Sequence, residues 1–141
     1  MARLRVFSGR IAAAAIAFLC ISTPAAVAAG NNALARANTL DQQVTQLDNQ
    51  GRSADAIPLA QEALAIREKA LGPNHPDIAT SLNNLAGLCE AQGRYEEAEP
   101  LYKRALLIYD KALGPDHPYT VTCRHNMRRF YEKQGRTSPS A

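Results

Sequence analysis

Apolar residues return every three or four positions at Leu34, Ala37, Leu40, Val44 and Leu47. That is the period of one helix face, and it predicts a helix over about 33–50. Gly51 ends it, because glycine takes the left-handed turn at a helix C-terminus without a Cβ penalty. A second apolar stripe, Ala56, Leu59, Ala60, Ala63, Leu64, Ala70 and Leu71, predicts a helix over about 54–71. Ser53 is the expected cap for it, its hydroxyl accepting from a free first-turn N–H. Pro58 falls in the expected first turn, where its missing donor has little helical partner to lose. Gly72-Pro73-Asn74-His75-Pro76 then stops one helix and starts another.

The same pattern continues downstream. Leu82, Leu85, Ala86, Leu88 and Cys89 predict a helix over about 76–92. Ala98, Leu101, Tyr102, Ala105, Leu106, Ile108, Tyr109 and Ala112 predict one over about 95–113. Gly114 to Pro118 repeats the stop, and a last helix is expected over about 118–134. The window from Gln92 to Pro118 matches the earlier window from Gln50 to Pro76 at 16 of 27 positions. Gln134-Gly135-Arg136 repeats Gln92-Gly93-Arg94 at the same interval. A fixed period of this size marks a repeat array. The prediction is an all-α chain of five antiparallel helices, two and a half helical hairpins stacked into a superhelix.

Leu82-Asn83-Asn84-Leu85-Ala86, Gln92-Gly93-Arg94-Tyr95-Glu96-Glu97-Ala98 and Leu101-Tyr102-Lys103-Arg104-Ala105-Leu106 resemble the tetratricopeptide repeat. The 42-residue spacing and the Leu-Gly-Pro-x-His-Pro connector look like the kinesin-light-chain type. The resemblance covers the chain from Ala29 onward. It implies a right-handed superhelix whose first helices line a concave, peptide-binding groove. It does not imply motor function.

The flanking copies depart from the central one. Gln43 and Gln46 stand where Leu85 and Leu88 stand, and Arg124 and Arg128 where Leu82 and Ala86 stand. Terminal repeats need polar outer faces, so these read as caps. The expectation is a complete small protein rather than a piece of a longer array.

The segment from Met1 to Ala28 is a different polymer. Arg3, Arg5 and Arg10 precede an uncharged apolar run from Ile11 to Ile21, then Pro24 and Ala26-Val27-Ala28. That order is the layout of a secretory signal, with cleavage expected after Ala28 or Ala29. The apolar run is short for a bilayer span of ~20 residues, so an uncleaved membrane anchor is the lesser reading. Leu19 before Cys20 argues against lipoprotein processing. The expected plan is 1–28 signal and 29–136 repeat domain, with units at about 33–75, 76–117 and 118–136. A polar tail follows at 137–141. The location is periplasmic or secreted.

Export also changes the charge balance. The chain carries 16 basic and 13 acidic residues, net +3. Three arginines leave with the signal, so the rest carries 13 of each. No nucleic-acid footprint remains. Cys89 falls late in one helix and Cys123 early in its equivalent, which separates the sulfurs by on the order of 10 Å at ~1.5 Å rise per residue. A disulfide is therefore not expected.

The candidate site is a set of polar rows that recur at one position of each first helix: Gln42, Asn84 and Asn126; Asp41, Asn83 and His125; Thr45, Gly87 and Arg129; Asp48, Glu90 and Glu132. Asn and Gln offer both donor and acceptor, so such a row pairs with an extended peptide backbone without reading its sequence. The resemblance assigns that role to Asn84 and Asn126. The alternative is that these two bond the neighbouring repeat. The groove candidates are Gln42, Asn83, Asn84, Glu90, His125, Asn126 and Arg129. Arg124, Arg128, Arg129, Lys133 and Arg136 form a basic end that would draw an acidic peptide or carboxylate. The blander reading is a solvated cap, with Arg129 the exception because its row belongs to the groove.

His75 and His117 occupy equivalent connectors. They lack the three or four converging ligands of a zinc site and are expected to bond the helix ends before Pro76 and Pro118. There is no Gly-rich phosphate loop, HExxH or GxSxG, so no catalytic residue, metal or cofactor is assigned. The sequence reads as a non-enzymatic interaction scaffold for a protein or peptide partner. The alternatives are a self-associating structural repeat protein and a membrane-tethered adaptor retaining its signal.

Overall fold

Each connector spells out its own geometry. In Gln92-Gly93-Arg94 the chain turns on Gly93 at φ 71, and the Arg94 N–H closes back on the Cys89 carbonyl at 2.8 Å. A Cβ would strain that left-handed backbone, which is why glycine holds the position. The other connector ends a helix at Gly114 and begins the next at His117-Pro118. The His117 Nδ1 accepts the Tyr119 N–H at 3.3 Å, as His75 Nδ1 accepts the Asp77 N–H at 3.2 Å. Proline follows at the first helical position, where no donor is lost. The two histidines therefore do the local work expected of them.

These signals produce five helices in the computed structural model, which describes residues 24–137. They are α1 Pro24–Asn49, α2 Ser53–Leu71, α3 Pro76–Ala91, α4 Tyr95–Leu113 and α5 Pro118–Lys133. Each packs mainly on the next in sequence, giving an α-α superhelix of two hairpins and a half. Among the described residues no helix is long and apolar enough to cross a membrane. The signal segment lies largely outside the described residues, as does most of the expected tail.

Four expectations need correction. The first helix begins at Pro24, not near residue 33. Its extra turns are built of alanines that favour helix, and Val27, Ala28 and Ala29 are exposed. Ser53 is not a cap. It is the first residue of α2, buried, and its hydroxyl donates to the Asp48 carboxylate at 2.7 Å. Pro58 lies at the sixth position of α2, past the first turn where it was expected, and Pro100 lies at the same position of α4. Each leaves the carbonyl four residues back without its helical donor. Ala70, placed on the inner face, is exposed in the last turn of α2.

The core runs along the seam between first and second helices. Ala56, Ala60, Leu85, Ala86, Ala98, Tyr102, Phe130 and Tyr131 form its largest cluster, and Ile78, Ala79, Leu82, Ala105 and Cys123 a second. The alanines let helix axes approach, and Tyr102, Phe130 and Tyr131 fill the wider gap toward α5. Cys89 and Cys123 are free and buried, one in each cluster. Burial pushes both thiols up, Cys123 to about 11.

One buried position shows how the repeat varies its chemistry. Arg67 is buried and donates to Ser81, Asn38 and Asp41, tying α1, α2 and α3 together. At the same register one repeat later stands Tyr109, whose hydroxyl meets Thr80, the equivalent of Asn38, at 2.7 Å.

Candidate functional site

The first helices α1, α3 and α5 share one wall, and a cleft of about 390 Å³ opens on it. Thr45 and Asp48 border it from α1, Asn83, Asn84 and Gly87 from α3, and Asn126 and Arg129 from α5, with Tyr102 of α4 behind. The complete Thr45, Gly87 and Arg129 row is therefore brought together. A Cβ added to Gly87 would lie 3.8 Å from the Tyr102 hydroxyl, an ordinary van der Waals contact.

The two asparagines of the family pattern part company. Asn84 is exposed and, among the described residues, makes no side-chain hydrogen bond. Asn126 is half-buried and donates to the Asn83 side chain at 3.3 Å. The neighbouring-repeat alternative thus holds for Asn126 and Asn83, although both still border the cleft.

Three further candidates sit elsewhere or are engaged. Gln42 is exposed on α1 but does not border the cleft. His125 is exposed and its Nδ1 lies 3.0 Å from the Arg128 guanidinium. Glu90 is a correction to the expected open row. It is buried, accepts from the Tyr102 hydroxyl at 3.0 Å and pairs with Lys133. It joins α3, α4 and α5 instead of facing a ligand. Burial, and then the Glu90 carboxylate, push the Tyr102 hydroxyl well above its ordinary range.

The basic end is largely paired. Arg124 pairs with Asp110, Arg128 with Glu132, Lys133 with Glu90 and Arg136 with Glu99. Among the described residues Arg129 alone of the five has no acidic partner. Its guanidinium borders the cleft, as does the Asp48 carboxylate. No group of three His, Cys, Asp or Glu side chains converges among the described residues.

A second hollow of about 430 Å³ adjoins the first through Asn83 and Asn84. Asp77, Thr80, Tyr109, Tyr119 and Thr122 also line it. Sequence reasoning missed these residues. The signal was present in the 42-residue shift, which superposes Asp77 on Tyr119 and Thr80 on Thr122.

The tetratricopeptide-repeat family model matches residues 35–111 and again 77–140. Among solved structures the chain is similar to TPR-like repeats of a protein from Podosopora anserina described as a kinesin light chain, and to a point variant of it. Each has a TM-score of 0.65 at 26% identity, covering 72% of this chain and 48% of the other. The chain thus spans about half the length of those structures.

Proposed function

The chain belongs to the tetratricopeptide-repeat family, whose domains generally bind protein partners, and from that premise we propose that it is an exported scaffold holding an extended peptide in the cleft of α1, α3 and α5. The observation that carries this reading is the pairing of Asn84, exposed and without a side-chain partner, with Arg129, the one uncompensated cation of the basic end. An amide that can donate and accept suits peptide backbone. A guanidinium bordering the same cleft suits a carboxylate. Nothing need be rearranged to bind, because the core beneath is closed by Tyr102, Phe130 and Tyr131.

Export is supported by the basic, apolar and small-residue order between Met1 and Ala28. Cleavage after Ala28 would remove only the first turns of α1, well before Ala37, the first buried apolar residue. Mass spectrometry of the protein from the exported fraction should find Ala29 or Gly30 at the N-terminus; an intact Met1 would overturn cleavage and favour the membrane-tethered alternative, and absence of the protein from that fraction would sink the export reading. For the groove, partners captured from that fraction should be lost or weakened at least tenfold by Asn84→Ala and by Arg129→Glu. Partners retained equally by both variants would exclude this cleft.

A further inference from the structure

The first turns of α3 and α5 build the second hollow from register-equivalent pairs, Asp77 with Tyr119 and Thr80 with Thr122. Tyr119 is 62% exposed, an unusual position for a large ring with nothing to bury against. It is nevertheless held. Its ring stacks on buried Tyr109 with centroids 6.0 Å apart and planes 27° apart, and the His117 ring abuts it at 5.3 Å. Tyr109 is fixed in turn by its 2.7 Å hydroxyl contact to Thr80.

The charge in the hollow is of one sign. Asp77 supplies the only full charge among its lining residues, and no Lys or Arg borders it. His75 Nδ1 lies 3.7 Å from the Asp77 carboxylate. The same nitrogen accepts the Asp77 N–H at 3.2 Å. A tyrosine face is electronegative as well. A carboxylate with no lysine or arginine partner thus lies in one hollow with a preformed aromatic face and two threonine hydroxyls.

We propose that this hollow is a subsite for an arginine side chain of the bound peptide, the guanidinium stacking on Tyr119 and forking to Asp77. Arginine suits it better than lysine because its plane stacks on a ring while its N–H pair meets a carboxylate. The inference rests on the peptide-groove reading and adds a sequence requirement to it. Tyr119 and Arg129 are ten residues apart on α5, about 15 Å along the axis. An extended chain covers that in about four to five residues. The ligand therefore carries an arginine about that far from the acidic group that faces Arg129.

The test is NMR titration of the full chain with N-acetyl-arginine amide, N-acetyl-citrulline amide and N-acetyl-lysine amide. The arginine probe should shift the resonances of Asp77, Tyr119 and Thr122. Citrulline, which is planar but uncharged, should bind at least tenfold more weakly, and lysine should fall between. Tyr119→Leu keeps an apolar side chain but removes the ring face, and Asp77→Asn removes only the charge. Each should weaken the arginine probe about tenfold with helix content by circular dichroism unchanged. Equal responses to arginine and citrulline, shifts confined to other residues, or undiminished binding by both variants would overturn the proposal. The two readings fail separately. Arginine bound at Tyr119 while Asn84→Ala and Arg129→Glu retain the partner would keep the subsite and remove the groove.

Discussion

Glu99 collects three donors: Lys103 at 2.7 Å, Arg136 at 2.8 Å and the Tyr131 hydroxyl at 2.9 Å. The Lys103 ammonium first, then Arg136 and Tyr131, hold its carboxyl down to about 2. A carboxyl lowered in the folded state stabilises fully above its ordinary value of 4.5, and that contribution disappears as pH falls toward 2. Thermal melts should therefore lose stability over that window in the native protein, and Glu99→Gln should flatten this part of the curve. An unchanged acid limb in Glu99→Gln would show that the three contacts are idle. The same node holds Arg136 against the body of the molecule: its guanidinium also sits 5.0 Å over the Tyr131 ring.

At the scale of elements, two hairpins with one backbone plan use different buried chemistry. The first closes on Arg67 with its three acceptors, the second on the Tyr109–Thr80 hydroxyl pair. Arg67→Ala should cost about 2–3 kcal/mol, because Asn38, Asp41 and Ser81 lose a shared donor while only partly regaining water. Urea unfolding measures this, and a loss below about 0.5 kcal/mol would mean the network contributes little. Tyr109→Phe should cost less, about 1 kcal/mol, since it removes one neutral hydrogen bond from a ring that otherwise stays packed. The element the sequence misplaced most is α1. Its stripe of apolar residues begins near residue 34, but helix propensity of the preceding alanines carries the backbone back to Pro24. Periodicity reports which turns are buried, and Val27, Ala28 and Ala29 are exposed.

Taken whole, the molecule is a stack with unequal neighbours. α3 lies between α2 and α4, whereas α5 packs on α4 and leaves Val121 48% exposed where the equivalent Ala79 is fully buried. Stability in such arrays is a sum of units and nearest-neighbour interfaces. Backbone amides of α3 should thus exchange with solvent most slowly and those of α5 faster, in a hydrogen-exchange experiment on the intact chain. Equal protection in both helices would point to a single cooperative unit. The Glu90–Lys133 pair ties α5 to α3, so Lys133→Ala should widen the difference between the two helices.

The fold was determined by the sequence through local chemistry repeated at a fixed distance. Left-handed glycines, histidine–proline helix starts and three-to-four periodicity each act within a few residues, and the 42-residue shift shows that they recur. The same shift placed Asn84, Thr45, Gly87 and Arg129 on one wall. Only the tertiary structure decided which polar residues remain free there. Glu90 and Lys133 are 43 positions apart, Arg136 and Glu99 37, and Asn126 and Asn83 43. Pairing over such separations depends on how adjacent helices settle against Tyr102, Phe130 and Tyr131. That packing ties Arg124, Lys133 and Arg136 to other elements, while Arg128 pairs with Glu132 on its own helix, and it leaves Arg129, Asn84 and the Asp77–Tyr119 hollow open to a partner.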